Sequence, residues 1–396
     1  MVEWKKLGEI CSFFRGRSLS KKDIGEGNHQ ILLYGELYTT YGDYITHIKS
    51  KTSFEKAIVA TKLKYNDLVL PVSSTTKEAQ IGKVSVIKTK SDVYLGSDAI
   101  LLRDTFNPAY LMYYLNSTLF EKSKMECVHG TTIMHLSPTE LAQKEIPIPS
   151  LSEQSRIVSI LDTFTSSISN LKQQIEERRK QFEYEREMLF TEFTKTKTIG
   201  ELTKVFSCPR VYKDQWKDSG IPFWRSSDVM SYYNKVQNPR GKVYISESLY
   251  KDLSKKTEKI EKGDILVTGG GTIGIPYLKK DNTPLFVKDA DLICIKKSES
   301  IIPSYLYHFF FSTGFQLYLK KITHDATIAH YTIGQIIDTP VPIPSLTEQS
   351  RIVSILDTFE QSISNLEEQL AMREKQYEYY RNQLLTFEGE EERGKT

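Results

Sequence analysis

Ile146 to Phe164 reads IPIPSLSEQSRIVSILDTF, and the stretch returns 195 residues later, from Val341 to Phe359, as VPIPSLTEQSRIVSILDTF. Near-identity at that separation means a duplicated unit far longer than a solenoid repeat, so one copy of a domain is expected before each. Ser150 with Glu153, and Ser345 with Glu348, have the S-x-x-E spacing of a helix capping box. Prolines at 147, 149, 342 and 344 favour extended chain just upstream. Behind the first cap Ile157, Leu161, Phe164, Ile168, Leu171 and Ile175 alternate by four and three; Ile352, Leu356, Phe359, Ile363, Leu366 and Leu370 repeat the pattern. This is a heptad seam, and it predicts two helices of about 40 residues, each roughly 60 Å long at 1.5 Å per residue. The seam runs on through Arg178, Phe182, Glu185 and Leu189, and through Arg373, Tyr377, Tyr380 and Leu384. A parallel, in-register pair would set Arg178 against Arg373 in a d layer, so the helices are expected to pair antiparallel.

The chain has 396 residues and a formal net charge of +3, a near balance that neither announces nor excludes a nucleic-acid partner. Its hydrophobic fraction of 39 % is low for a globular chain, as expected when long helices expose polar faces. Cys11, Cys127, Cys208 and Cys294 make no C-x-x-C pair, which argues for a reducing compartment and against a cysteine zinc site. The N-terminus lacks a basic-then-apolar signal and no apolar run approaches membrane length, so a cytoplasmic, soluble protein is expected.

In chain order, the phrase L-G-E-I at 7–10 returns as I-G-E-L at 199–202. Short β-type segments follow the first: Ile31 to Tyr34, Tyr44 to Ile48, Ala57 to Thr61, Leu68 to Val72, Gly82 to Ile87 and Ala99 to Arg103. Pro108 then opens a helix read as Ala109 to Lys124. Framework residues recur in the second copy: Asp264 to Val267 echoes Asp67 to Leu70, and Pro303 to Leu306 echoes Pro108 to Leu111. Ala326 to His330 echoes Thr131 to His135. The helices are almost identical while the domains differ in their loops, as expected if each domain reads a different target. The expected fold is α+β: two tandem α/β domains (1–149 and 196–344), each followed by a long helix (150–195 and 345–388), and a disordered tail, 389–396.

Three motifs mimic other chemistries. Gly269 to Gly274 fits G-x-G-x-x-G after a strand, but Pro276 and a continuing β pattern deny it the helix a dinucleotide site needs, leaving a glycine turn. Asn107-Pro108-Ala109-Tyr110 resembles the N-P-P-Y of adenine methyltransferases, yet the second copy has Ile302-Pro303-Ser304-Tyr305, so the shared part is a helix start. The histidines form no H-x-x-x-H, and the sequence offers no Ser/His/Asp set, paired carboxylates or metal-ligand spacing. No catalytic residue and no metal site is expected.

The chain resembles the specificity subunits of type I restriction–modification enzymes over nearly its whole length. The resemblance rests on P-x-P-S-L-x-E-Q-x-R-I-V at Pro147 to Val158 and again at Pro342 to Val353. The L-G-E-I and I-G-E-L openings and G-T-T-x-x-H-L at Gly130 to Leu136 support it. Asp325 stands where the second copy would have the glycine, and the first domain lacks the G-I-P-F-W-R phrase of Gly220 to Arg225. The resemblance implies two target-recognition domains and conserved helices pairing as an antiparallel coiled coil with pseudo-twofold symmetry. Each domain would read one half of a bipartite double-stranded DNA sequence, helix length setting the unread spacer. It implies a non-catalytic chain, bound by two modification (methyltransferase) subunits that use S-adenosylmethionine on adenine. Restriction/translocase subunits that use ATP and Mg would join them, and no membrane is involved. The rival expectations are a structural coiled-coil adaptor that binds no DNA and a self-sufficient DNA methyltransferase.

Contacts to DNA are expected on loops. Lys21, Lys22, Lys77, Lys213 and Lys217 suit phosphates, and Arg15, Arg17, Thr131, Thr132, Arg210, Arg225 and Thr327 suit base edges.

Overall fold

The computed structural model describes residues 2–75, 80–103, 107–236, 241–323 and 330–387. Lys77 and Thr327, Asp325 and the start of the echo at Ala326, and the tail 389–396 therefore lie outside the described residues. The chain forms two compact units, Met1–Lys172 with Gln369–Thr396, and Gln173–Glu368. Each unit takes a domain and part of both long helices.

In the first unit, a five-stranded sheet has the order Ser12–Arg15, Ala99–Arg103, Leu68–Pro71, Ser85–Ile87, Tyr44–Ile45. Its central strands are buried on both faces, with Leu68, Val69, Leu101 and Leu102 at 0 % exposure, which explains their unbroken apolar run. A smaller sheet adds Lys51–Thr52, His29–Leu32, Val93–Leu95 and Thr61–Lys62. Glu3–Lys6 pairs antiparallel with Glu145–Ile148, Trp4 opposite Pro147. In the second unit Thr196–Thr198 pairs the same way with Pro340–Pro342. The repeated opening phrase and the repeated proline approach are therefore partners in one ladder. The second unit's main sheet runs Val205–Phe206, Leu292–Ile295, Ile265–Thr268, Pro276–Leu278, and the glycine segment 269–274 makes the turn between its last two strands, with Gly271 and Gly274 at positive φ.

Three local expectations are corrected. Ala57 to Thr61 is no strand: Phe54–Ala57 is a helical turn and pairing is confined to Thr61–Lys62, because Ile58 and Val59 face solvent with nothing to pack against. Tyr34 opens a helix, Tyr34–Thr39, its start held by the Glu36 carboxylate accepting from Leu33 N at 2.9 Å. The helix read as Ala109 to Lys124 is two, Pro108–Leu115 and Thr118–Met125. Asn116 leaves the helix to bond the backbone of Val84 in both directions at 2.8 Å, and Ser117 caps the second segment.

The long helices run Leu151–Thr191 and Leu346–Leu385. Their starts show what the shared motif does. Ser150 and Ser345 cap the backbone of Glu153 and Glu348, but those carboxylates turn forward to Arg156 and Arg351 instead of completing the box. The next residue is the buried anchor. Gln154 donates to Pro149 O at 2.9 Å, and Gln349 donates to Pro344 O at 3.1 Å while accepting from Ile302 N at 2.9 Å. Tyr110 and Tyr305 donate from the domain helices to Pro147 O and Pro342 O. Domain, proline strand and helix start are bolted together by the same glutamine and tyrosine bonds in each copy.

Pairing is antiparallel in both units. In the first, Ile157 and Leu161 share a core with Leu385, Phe164 stacks on Tyr380, Lys172 pairs with Glu374 at 2.9 Å, and Arg373 lies over the Phe164 ring. In the second, Ile352 and Leu356 share a core with Leu189 and Phe190, Phe182 stacks on Phe359, Arg179 pairs with Glu367 at 2.6 Å, and Arg178 lies over Phe359. The d-layer arginines thus meet aromatic faces, a cation–π arrangement, instead of each other. Ile168, Leu171, Ile175, Ile363, Leu366 and Leu370 are buried or half-buried along the same seam.

Candidate nucleic-acid interface

In the first unit, three loops converge at one end of the sheet. Gly16 is in direct backbone contact with Gly96, where a Cβ would meet the Gly96 carbonyl at 1.8 Å, so Arg15 and Arg17 flank a point only glycine can occupy. The loop is held by Gly16 N to Ala99 O, Arg17 N to Leu95 O and Ser97 N to Leu19 O, with Leu19 buried beneath it. Lys21 and Lys22 ride the next turn, Lys21–Asp23, where the Asp23 carboxylate accepts from Ser20 N at 2.9 Å. That backbone bond, with Lys56 and the Ser20 hydroxyl, holds the Asp23 carboxyl below its ordinary range and keeps the turn's clasp ionised. Arg15, Arg17, Lys21 and Lys22 are all exposed on this ordered loop.

The second contribution is the hairpin between Val128–His129 and Met134–Leu136, whose exposed tip carries Thr131 and Thr132. Gly130 sits at φ 118°, and a Cβ there would lie 2.0 Å from Ile133 O, so the hairpin requires glycine. The turn holding Asp98 supplies the third. Ser73 Oγ donates to Asp98 Oδ1 at 3.0 Å and lies 3.0 Å from His135 Nδ1. The sequence offered no Ser/His/Asp set, yet the fold assembles one in the wrong order for nucleophilic catalysis. The serine stands between histidine and aspartate, where a triad needs the histidine in the middle. Its effect is to tie the His135 hairpin to the loop that carries Arg15 and Arg17.

The second unit repeats the convergence with different side chains. Gly269 N donates to Asp291 O, Tyr331 N donates to Gly269 O, and Ser226 Oγ donates to Asp291 O. Nearby, a cavity of about 860 Å³ is lined by Arg210, Tyr212, Lys213, Trp216 and Lys288, together with Asp214 and Asp289. Arg210 stacks on Tyr212, 5.6 Å from guanidinium carbon to ring centroid. Lys217 is exposed on the bridge to Tyr244. Arg225 is corrected: it is 4 % exposed, pairs with Asp228 at 2.9 Å, donates to Gly241 O at 2.7 Å and lies over Trp216. It builds the wall of the cavity, with Nε and Nη2 committed to Asp228 and Gly241 O. Lys288 was missed in the sequence; it reaches the cavity because Phe223–Trp224 pairs in parallel with Phe286–Val287, placing Lys288 N on Trp224 O.

Each of the two domains carries a basic loop cluster and is bolted to a paired helix, the build of a two-domain binding module on a coiled-coil scaffold. The chain belongs to the family described as the type I restriction modification DNA specificity domain, whose profile matches residues 1–178 and again 192–372. It is 32 % identical over 301 residues to a putative type I restriction enzyme specificity subunit of Haemophilus influenzae, spanning 72 % of this chain and 74 % of that one. It is 29 % identical to the EcoR124I/EcoR124II specificity subunit of Escherichia coli, over 62 % of this chain and 64 % of the relative. In fold it resembles the S subunit of a type I system from M. genitalium, with a TM-score of 0.58, 15 % identity and coverage of 98 % and 97 %. A second solved type I system chain gives a TM-score of 0.61 at 16 % identity, covering 97 % of each. The chain is a specificity component of a restriction–modification system. Among the described residues no helix is long and apolar enough to cross a membrane.

Proposed function

We propose that each domain reads one half of a bipartite duplex DNA target, and that partner subunits carry out adenine methylation or restriction at the site so chosen. The observation that carries this reading is the contrast between the copies. The bolts at Gln154, Gln349, Tyr110 and Tyr305 are the same, whereas the loop clusters present Arg15, Arg17 and His135 in one unit and Arg210, Lys213 and Lys288 in the other. Phosphate contacts from the lysines would position the duplex, and base-edge contacts from arginine and threonine would specify sequence. The helices also repeat an exposed patch. Leu151 and Leu346 are 57 % and 48 % exposed, each beside an Arg–Glu pair, which suits two copies of one partner, the modification subunit. S-adenosylmethionine would be held by that partner, and ATP and Mg by a restriction/translocase subunit, all in the cytoplasm with the DNA.

The test is adenine-methylation mapping of the host genome with this gene intact and deleted. Loss of one two-part motif is the expected result, and exchange of residues 1–145 for another such domain should change one half only. An unchanged methylome in a host whose modification subunit is expressed would remove the reading in favour of an adaptor. Methyl transfer by the purified chain alone would make it a methyltransferase.

A further inference from the structure

His308, on the helix Pro303–Phe309 of the second unit, is 0 % exposed and faces two carboxylates of the second long helix, Asp357 and Glu360. Three residues apart, these share one helix face. One donor atom from each of the three residues lies within 4.8 Å of the others. His308 Nε2 is 2.9 Å from Asp357 Oδ1, the geometry of an N–H donated to a carboxylate. In the neutral imidazole that bond leaves Nδ1 as a lone pair, buried and without a hydrogen-bond partner, 3.9 Å from Glu360 Oε1. Two electron-pair donors thus face each other at a separation too long for a hydrogen bond, and a buried unpaired acceptor is costly. An ion held about 2.0–2.2 Å from a nitrogen and an oxygen sets those donors roughly 3.3–4 Å apart.

The first unit shows how the same place is satisfied without an ion. There the matching residues are Tyr113, Asp162 and Thr165; Tyr113 and Tyr44 both donate to Asp162 Oδ1 at 2.6 Å, and Tyr113 Oη lies 3.3 Å from Thr165 Oγ1. Burial, and after it the Asp162 carboxylate, pushes both phenols well up, so they stay protonated donors. Tyrosine is replaced by histidine in the domain helix, and threonine by glutamate in a long-helix segment otherwise almost invariant between the copies. Both changes remove a hydroxyl and add a metal-ligating atom.

We propose that His308 and Glu360, with Asp357 holding the ring and adding its charge, bind one divalent transition-metal ion of the Zn²⁺ class. The imidazole nitrogen favours such an ion over Mg²⁺ or Ca²⁺, and the carboxylate on the far ring nitrogen is the usual support of a ligating histidine. Asp357 and Glu360 also line a cavity of about 660 Å³, which gives the ion an entry path and leaves room for water ligands. Burial holds the Glu360 carboxyl above its ordinary range, although Lys280 and Arg186 pull it the other way. The positive charge of Lys280 and Arg186 weakens cation binding, so micromolar affinity is expected rather than the tightness of a closed structural site.

The experiment uses the full-length chain, stripped with chelator and dialysed against Zn²⁺ or Mg²⁺, with bound metal measured by elemental analysis. The paired variant H308Y/E360T installs the residues the first copy already tolerates, so folding is expected to survive and is checked by circular dichroism. The wild-type chain should hold one Zn²⁺ and no Mg²⁺, and the variant, which keeps all four cysteines, should bind at least ten-fold more weakly. The reciprocal variant Y113H/T165E should gain a second Zn²⁺. Equal binding by wild type and H308Y/E360T, or none by the wild type, overturns the proposal. So does stabilisation of the metal-free wild type by acid alone, with no response to Zn²⁺, which would make a proton the occupant.

Discussion

Replacing Arg210, Lys213 and Lys288 by alanine together tests the interface of the second unit by its electrostatics, without knowledge of the target sequence. These three cations line one cavity with the rings of Tyr212 and Trp216 and the carboxylates of Asp214 and Asp289. Arg210 and Lys213 are exposed, and the Lys288 ammonium is only loosely engaged, 3.6 Å from Asp291. If each neutralises one phosphate, binding releases about 0.9 counterion per contact, and the slope of log K against log salt should flatten by roughly 2.7 in the triple variant. Between 50 and 200 mM salt, wild type should then lose about 40-fold more affinity than the variant. Fluorescence anisotropy of a labelled duplex over a salt series reads this directly, because phosphate contacts are indifferent to sequence. None of the three forms a bolt to the long helix, so the fold should persist. A slope unchanged to within half a unit would refute the assignment and move the duplex to another face of this domain.

Arg225→Ala should behave in the opposite way, leaving the salt slope intact while destabilising the second unit by about 1–3 kcal/mol in urea denaturation, because it removes the buried guanidinium that donates to Asp228 and to Gly241 O. Gly130→Ala should strain the first unit's hairpin by about 1–3 kcal/mol and weaken reading of one half-site only, scored by methylation of a plasmid library. Glu360→Gln, in chelator, should raise the melting temperature at neutral pH. The folded carboxyl is held above 4.5, so the folded state binds the proton more readily and stability falls as pH rises from 4.5 through the folded value. The gap between variant and wild type should close below pH 4.5, and a gap that widens there would count against the burial argument.

Much of this architecture was legible because duplication printed it twice. Helix starts, seam and antiparallel sense were all readable, the last from Arg178 and Arg373 alone; the aromatic faces that receive them lie on the opposite helix and so left no local trace. The helix break at Asn116 was hidden because its cause, Val84, is 32 residues away in sequence. Ile58 and Val59 read as a strand because β propensity assumes a neighbouring strand that the fold does not supply there. Arg225 looked like a base reader, though an aspartate three residues later was a usable warning. Lys288 and the donor set at His308 were invisible for one reason: each depends on a pairing between segments dozens of residues apart.

The pattern of what was kept also has a physical cause. Gln154, Tyr110 and the 147–149 prolines, and their counterparts Gln349, Tyr305 and 342–344, are mutually satisfying groups at a buried joint, where losing one strands another. Any single change there costs the full desolvation of the abandoned partner, about 1–3 kcal/mol, a large fraction of the few kcal/mol that separate folded from unfolded. Loop residues such as Arg15, Thr131 and Lys213 are exposed, and altering them carries little such penalty. A duplicated chain therefore holds its joints fixed and lets its loops vary without any need for selection to protect the framework separately. Divergent loops on an invariant joint are then what two independent readers on one scaffold require. The exchange of Tyr113 and Thr165 for His308 and Glu360 departs from that rule, because it changes buried groups at a joint. Two coordinated changes at such a place need a compensating partner, and a bound cation supplies one.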